Sequence, residues 1–380
     1  MAHRAFATAL SLAVGAVTFT NLSHCLELWK PPVPCGDNPF SLLPPPITNN
    51  AFLRTNIPFV DTQMCFLTQF FVEAFGEMPS LLGSKLIISL VVGVSLPFWF
   101  LMAVESTRRS SVGPNAYFSL IGFLSQTFGI SVTIPFVWLP FHLYPNPATT
   151  LQPHQTLNPS LSKTMDVKTI ASNSLGSVPI LNRIAFGFLG LNFLCWLLGV
   201  TPTSSYNFKL FFWVFQYYPV WMVIGWASIT LSKESRRPAI FMQEANVRSQ
   251  QAVSNYERAA LVFGVQHVFG IILPIATSND PVAVLTEMGQ FLAQRPVEKL
   301  SLVPWFLYVE GVSLAVGSAV IFVASEAASL DGNWVFAVVS YFARALLIGP
   351  GASLMVFSAW REGRIAALLS SGESSAKKLE

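Results

Sequence analysis

Apolar residues run through this chain in long, nearly uninterrupted stretches that are separated by shorter polar segments. A helix needs about 20 mostly apolar residues to cross the ~30 Å hydrocarbon core of a bilayer. Eight stretches meet this measure and predict transmembrane helices over residues 59–76, 82–104, 116–143, 178–200, 208–231, 258–276, 303–324 and 334–359. These runs are too long for barrel strands, and lipid admits only helices and closed barrels, so the pattern predicts an all-α, polytopic transmembrane bundle.

The polar segments divide the chain into three parts. Residues 1–58 join an apolar stretch, 5–20, to a proline-rich cap, and that stretch fits a ninth span, an anchor or a signal peptide. Residues 59–360 hold the bundle with a loop over 145–177, and residues 361–380 form a polar C-terminal tail. No internal repeat is visible in the sequence, so the matching broken helices of many transporters are not expected.

Composition supports a membrane class with the lipid bilayer as a partner. Hydrophobic residues make up 52% of the 380 positions and charged residues only 11%. The 22 basic and 19 acidic side chains nearly balance, and no basic stripe with interleaved aromatic residues occurs, which excludes a nucleic-acid partner. The segment Lys377-Lys378-Leu379-Glu380 resembles the dilysine retrieval signal of endoplasmic-reticulum membrane proteins, so we expect an integral protein of that membrane.

Three ionisable residues lie inside the apolar runs: Glu310, Arg344 and His267. A charge near the centre of a bilayer costs about 2.5–3.5 kcal/mol on insertion scales, so such residues usually face a protein interior and mark a working site. Their positions in the runs place all three near a common depth. Two interpretations are open, an acid whose neighbours set its proton affinity or a Glu310–Arg344 ion pair that holds two helices together.

Several catalytic classes are excluded by missing motifs. The chain has no aspartate-rich magnesium motif, no G-x-x-x-x-G-K-[ST], no G-x-G-x-x-G and no G-x-S-x-G. No two cysteines have C-x-x-C spacing, and the five histidines form no pair three to five positions apart. We therefore expect no metal and no cofactor, and nothing favours a hydrolase.

Carboxyl groups and aromatic rings remain as the candidate chemistry. The candidate acids are Asp61, Glu73, Glu105, Glu310 and Glu326. Asp61 also suits a helix start, and Glu105 has the spacing for a local ion pair with Arg108 or Arg109. Aromatic clusters that contain Trp99 and Tyr218 could line a site, because desolvated ring faces stabilise a cation by about 0.5–2 kcal/mol. An acid in an aromatic cavity suits carbocation chemistry.

A set of dispersed residues resembles fungal integral-membrane terpene cyclases, of the group that includes the cyclases of the ascochlorin and ascofuranone pathways. It consists of Ile57-Pro58-Phe59-Val60-Asp61, Glu105-Ser106-Thr107-Arg108, Asn115, Gln126, Pro135, His142, Gly349-Pro350-Gly351 and Arg361-Glu362. The resemblance implies acid-initiated cyclisation of an epoxidised prenyl chain, often a farnesyl group on an aromatic polyketide, without metal or nucleotide. An apolar prenylated small molecule is then the substrate.

This resemblance and the intramembrane charges together give a candidate site. Glu310, Asp61 and Glu105 are the candidate acids, and His142 or His267 could orient the acid or take the final proton. The candidate substrate-binding residues are Asn115, Gln126, His142, Arg344, Trp99 and Tyr218. Two alternatives use the same residues: a transporter or lipid-binding protein that employs the intramembrane charges, and a membrane isomerase that acts on sterol-like substrates.

Overall fold

The computed structural model describes residues 2–29, 57–76, 81–106, 118–143, 242–293, 299–330 and 333–376. Every element within these ranges is helical, and they contain no strand, which confirms the predicted all-α class. Two predicted spans, 178–200 and 208–231, lie outside the described residues. So do Asn115 and Tyr218, and the Arg108 and Arg109 that could pair with Glu105.

The described ranges contain ten helices in chain order. They are α1 (Ala2–Leu28), α2 (Pro58–Gly76), α3 (Leu81–Ser106), α4 (Phe118–Phe128), α5 (Ile130–Leu143), α6 (residues 242–276), α7 (Pro281–Ala293), α8 (residues 299–330), α9 (Trp334–Ile348) and α10 (Pro350–Ala376). Helices α5, α6 and α8 each contain one π-helical segment, at Ile134–Trp138, Val268–Ile272 and Ser313–Ser318. Such wider turns often occur near functional sites.

Three of the described helices are long and apolar enough to cross a membrane. They are Arg4–Leu28, Ala252–Ala276 and Leu302–Leu330, and a bent pair, Leu120–Phe128 with Ile130–Leu143, is a fourth if it is counted as one span. Within the described ranges, the structure therefore supports only some of the eight predicted spans.

Helix α1 packs into the bundle. Ser11 Oγ donates a buried hydrogen bond of 2.7 Å to the carbonyl oxygen of Pro135, and Thr18 Oγ1 donates one of 2.9 Å to Ser313 Oγ. Polar contacts of this kind hold helices together inside an apolar environment. Residues 5–20 therefore lie within a helix that is long and apolar enough to span a membrane, Arg4–Leu28.

The predicted span over 116–143 is not a continuous helix. It breaks at Gly129, whose φ of 88° is a backbone conformation that essentially only glycine adopts. The axes of the two helices differ in direction by 119° across the break. Helices α4 and α5 therefore form a hairpin that folds back on itself.

The predicted span over 334–359 breaks in the same way, at Gly349 with a φ of 90°. Pro350 then occupies the first position of α10, where its missing N–H costs nothing. Ser353 Oγ donates a hydrogen bond of 2.8 Å to the carbonyl oxygen of Tyr341 on the other side of the break. In a straight helix these two residues would be about 18 Å apart along the axis. Helices α9 and α10 therefore form a second hairpin.

The two hairpins occupy matching places in the chain, each after one long helix, α3 or α8. The sequence, which shows no internal repeat, did not predict these two breaks. The reason is that the match lies in backbone geometry: Gly129 has φ 88° and ψ 144°, Gly349 has φ 90° and ψ 153°, and the flanking side chains differ.

Helix α10 continues through the boundary expected at residue 361 and ends at Ala376. The first two residues of the expected polar tail, Arg361 and Glu362, are buried. Helix α10 packs closely on α3, where a Cβ atom on Gly351 would collide with the carbonyl oxygen of Gly93.

Candidate functional site

Four buried ionisable side chains from four helices form a closed ring at one end of the bundle. We call Glu105, His142, Glu326 and Arg361 the charge ring; none of them is more than 2% exposed. Arg361 Nε donates to Glu326 Oε2, and Arg361 Nη1 donates to Glu105 Oε1 at 2.8 Å. His142 closes the ring, with Nε2 at 3.1 Å from Glu326 Oε1 and Nδ1 at 3.9 Å from Glu105 Oε2.

Aromatic rings pack against the charge ring. The imidazole of His142 stacks on Trp138 with centroids 4.9 Å apart and planes 17° from parallel. The guanidinium carbon of Arg361 lies 5.7 Å from the centroid of Phe322, within the range of a cation–π interaction. Arg361 Nη1 also donates to Glu362 Oε1 at 3.1 Å. The charges are thus held by ion pairs, hydrogen bonds and rings together.

The charge ring fixes the direction of the helices that form it. Glu105 lies in the last turn of α3, and Glu326 lies near the C-terminal end of α8. Both carboxylates contact Arg361, so α3 and α8 run parallel and end at the same face of the bundle. The two hairpins return His142 and Arg361 to that face. The repeated arrangement is therefore parallel, not inverted.

This geometry makes the charge ring a poor source of protons for a substrate. A guanidinium that contacts both Glu105 and Glu326 favours their ionised forms. Removing one partner of such a buried pair leaves an uncompensated charge, so the four helices are held together only while every member of the ring is present. The ring is therefore a structural clamp. Within the described ranges, no group of three or more His, Cys, Asp or Glu side chains could hold a metal ion.

Glu310 lies at the first break, far from the charge ring. It precedes Glu326 by sixteen residues on α8, or about 24 Å of helix. Its side chain is 7% exposed, and its Oε1 accepts a hydrogen bond of 2.9 Å from the backbone N–H of Ile130. A Cβ atom on Gly129 would stand 3.0 Å from the same oxygen, so the glycine gives the carboxyl access to the start of α5.

The Glu310–Arg344 ion pair is not formed. Arg344 is half-buried on α9, and its Nε has no hydrogen-bond partner among the residues that the structure describes. The reason is that Glu310 packs against the first hairpin, whereas Arg344 belongs to the second.

His267 lies at the second break. A Cβ atom on Gly349 would stand 2.6 Å from Cγ of His267, so the imidazole packs directly on the glycine. A narrow crevice between α3, α6 and α10 adjoins this contact, with no room for a water molecule. Its lining residues are Ser89, Leu90, Gly93, Phe263, Gln266, His267, Ile271, Gly349, Pro350 and Gly351.

One segment of α3 links the two breaks. Gly311, next to Glu310, packs against Leu90 and Val91, and Gly93 packs against the amide of Gln266, the neighbour of His267. Glu310 and His267 are therefore close to one level of the bundle, on opposite sides of α3, as their positions in the sequence predict.

The other candidate residues are dispersed. Asp61 is buried in the first turn of α2, where a helix start was expected. Gln126 is half-buried on α4, three residues before Gly129, and Trp99 is half-buried against the main core cluster. Glu73 accepts a hydrogen bond of 2.8 Å from Trp29 Nε1.

Sequence reasoning missed Arg361 as a site residue because it follows the last apolar run. A local signal was present. An aromatic residue lies four positions before each of five ionisable residues in the interior, and i, i+4 neighbours share one helix face. These pairs are Trp138 and His142, Phe263 and His267, Phe306 and Glu310, Phe322 and Glu326, and Phe357 and Arg361.

Comparison with known proteins gives one family. No significant match is found among curated proteins or among solved structures. Residues 44–365 match the CtvD domain, and this stretch includes both hairpins, Glu310, His267 and the whole charge ring. The CtvD family is of the fungal meroterpenoid cyclase type. With most of its length matched, the chain belongs to the CtvD domain family.

Proposed function

We propose that the protein is a membrane-bound terpene cyclase that starts the cyclisation of an epoxidised prenyl chain with a proton from Glu310. Membership of a cyclase-type family supports the class of reaction. The observation that carries the choice of acid is the setting of Glu310, a buried carboxyl with no ion-pair partner among the described basic side chains. An unpaired charge is costly in such a setting, so the neutral acid is the form suited to it.

The reaction keeps atoms and charge in balance. The Glu310 proton passes to the epoxide oxygen, the carbon–oxygen bond breaks, and the resulting cation is attacked by an alkene of the same chain to close a ring. Loss of a proton from the last cation gives an isomer of the substrate. The N–H of Ile130, at 2.9 Å, stabilises the carboxylate that remains, and this carboxylate can take the final proton back.

Aromatic rings lie close to Glu310 along α8. Phe306 is one turn earlier and packs edge-to-face on Phe70 at 4.9 Å, and Phe70 packs on Trp29 at 5.5 Å. Ring faces in an apolar interior stabilise a passing cation. This supports carbocation chemistry on the Glu310 side of α3.

The test uses yeast microsomes that contain the full chain and an epoxyfarnesyl phenol. We expect a cyclised product of unchanged mass, and a loss of about 10²–10⁴ in kcat for Glu310→Gln, the range for removal of a general acid. Glu287→Gln, at an exposed position on α7, is the matched control and should keep full activity. Asp61→Asn and Glu105→Gln rank the other carboxyls in the same assay.

A Glu310→Gln variant with wild-type turnover would remove Glu310 from the mechanism. Absence of any cyclised product in the wild-type membranes would favour the second candidate function, a transporter. The two broken helices support that alternative, because transporters place substrates at breaks of this kind. Uptake of the unchanged substrate into proteoliposomes identifies it directly.

A further inference from the structure

We infer that the protein lies in its membrane with the charge-ring face towards the cytosol and the opposite face on the non-cytosolic, oxidising side. The charge-ring face is the end of the bundle at which α3 and α8 end, and the opposite face is the end at which both helices begin. Three observations carry this orientation: the directions of the described helices, the bonding state of Cys65 and the distribution of basic residues.

Helix α1 runs antiparallel to α8. Thr18 donates its hydrogen bond to Ser313 on α8. Four residues earlier on α1, Val14 lies against Gly317, which is four residues later on α8, and a Cβ atom on that glycine would stand 2.7 Å from the Val14 side chain. Since α8 ends at the charge-ring face, α1 begins at that face and ends at the opposite one.

Helix α6 runs antiparallel to α3. A Cβ atom on Gly270 would stand 2.7 Å from Ser89 Oγ, near the start of α3, whereas the ring of Tyr256 lies 5.6 Å from that of Phe100, near the end of α3. Helix α6 therefore begins at the charge-ring face and ends at the opposite face. Helix α10 contributes Arg361 to the ring and continues for about four turns past it, so it ends on the charge-ring side.

Cys65 lies at the opposite face and is oxidised. It belongs to α2, whose Phe66 and Phe70 pack on Trp29, directly after the end of α1, with ring centroids 4.8 and 5.5 Å apart. Cys65 is buried and disulfide-bonded. Disulfides persist in the lumen of the secretory pathway and outside the cell, and they are rare in the cytosol. The disulfide therefore assigns the opposite face to the non-cytosolic side.

Basic residues are twice as numerous beside the helix ends of the charge-ring face. In the sequence at the start of α1, the end of α3, the start of α6 and the end of α10 they are Arg4, Arg108, Arg109, Lys233, Arg236, Arg237, Arg248, Arg364, Lys377 and Lys378. Beside the helix ends of the opposite face they are Lys30, Arg54, Lys85, Arg295 and Lys299. An excess of Lys and Arg marks the cytosolic side of a membrane protein, so this independent count agrees with the disulfide.

The orientation sets the depth of the candidate acid. Glu310 lies eight residues, or about 12 Å of helix, after Leu302, where its apolar span begins at the opposite face. The charge ring is about twice as far away in the other direction. Under the proposed function, on which this consequence rests, the epoxide end of the substrate must reach the half of the bilayer away from the cytosol.

The experiment labels single added cysteines in sealed yeast microsomes, whose cytosolic side faces outwards, with a maleimide–polyethylene glycol that does not cross membranes. Gly363→Cys reports on the charge-ring face, and Gly289→Cys, on α7 between the end of α6 and the start of α8, reports on the opposite face. They are a matched pair, because both glycines are exposed helix positions with nothing within 4 Å of an added Cβ atom. We expect a tag on Gly363→Cys and only the wild-type background on Gly289→Cys until detergent opens the vesicles.

A second pair and a second readout support the test. Arg364→Cys and Glu287→Cys, at exposed positions on the same two helices, replace a glycine variant that does not reach the membrane. The disulfide is tested on the denatured chain. Reduction before labelling should add two tags to the wild type and none to Cys65→Ser, because one disulfide releases two thiols.

Three results would overturn the orientation. They are protection of Gly363→Cys and Arg364→Cys in sealed vesicles, labelling of Gly289→Cys and Glu287→Cys there, and a wild type that gains no tag on reduction. The labelling does not depend on turnover. Membranes that show the expected labels but form no cyclised product would therefore remove the proposed function and leave the orientation in place.

Discussion

The charge ring and the two glycine breaks lie at different levels of the same helices. Their ionisable groups have opposite surroundings, ion-paired at the ring and without ion pairs at the breaks. At the ring, Arg361 contacts three carboxylates and His142 lies between two of them. At the breaks, Glu310 accepts hydrogen bonds from Ile130 and Ser131 and forms no ion pair with a described residue, and His267 packs directly on Gly349.

This difference separates ionisable groups that hold the helices together from those that are candidates for catalysis. A fully paired buried charge resists both proton transfer and ligand binding, because any change leaves its partners unpaired. A buried carboxyl that accepts hydrogen bonds but has no ion-pair partner can still give a proton to a substrate. We therefore expect substitutions at the ring to affect stability first, and substitution of Glu310 to affect turnover first.

The largest effect on stability is expected for Arg361→Met. It leaves the carboxylates of Glu105 and Glu326 buried without their guanidinium, which should lower the free energy of unfolding by about 3–5 kcal/mol. Thermal unfolding in detergent measures this loss. Arg364→Met, at an exposed position on the same helix, should change stability by less than about 0.5 kcal/mol. Equal stability of the two variants would contradict the clamp role of the ring.

A smaller effect is expected for Gly349→Ala. The backbone at φ 90° and ψ 153° admits essentially only glycine, and a methyl group would also press on His267, so the cost should be about 1–3 kcal/mol. Gly289→Ala is the control, because Gly289 lies in helix α7 with nothing within 4 Å of the added carbon. If the unfolding midpoint falls as much for Gly289→Ala as for Gly349→Ala, the backbone conformation at Gly349 does not require glycine.

The smallest effect is expected for Ser353→Ala. It removes the hydrogen bond to the Tyr341 carbonyl oxygen that joins α9 and α10, worth about 0.5–1.5 kcal/mol. Ser358→Ala removes an equally buried hydroxyl whose bond, to the Leu354 carbonyl oxygen, stays within α10. Hydrogen exchange in α9 should rise for Ser353→Ala only. A matching rise in Ser358→Ala would argue against a link between the two arms of the hairpin.

The sequence predicted those features that depend on local composition. Long apolar runs predicted the all-α class, and Pro58 with Asp61 predicted the start of α2. The positions of Glu310 and His267 within their runs predicted that they lie at a similar depth. Each of these follows from helical rise or from the preferences of a helix end.

The breaks and the charge ring could not be predicted in this way. Glycine is tolerated in straight transmembrane helices, so the folding back at Gly129 and Gly349 depends on neighbours from other helices. The burial of Arg361 depends on Glu105 and Glu326, which are 256 and 35 positions away in the sequence. In the local sequence, Arg361 and Glu362 are two polar residues that follow an apolar run, and nothing there indicates that they are buried.

The parallel course of α3 and α8 has a topological consequence. Two helices that end on one face must be separated by an odd number of membrane crossings. Four apolar stretches lie between them in the sequence, and the first of these, over 116–143, is not a continuous helix but is bent by 119° at Gly129. Counting hydropathy peaks alone would give an even number and reverse the sidedness assigned to everything after the first hairpin.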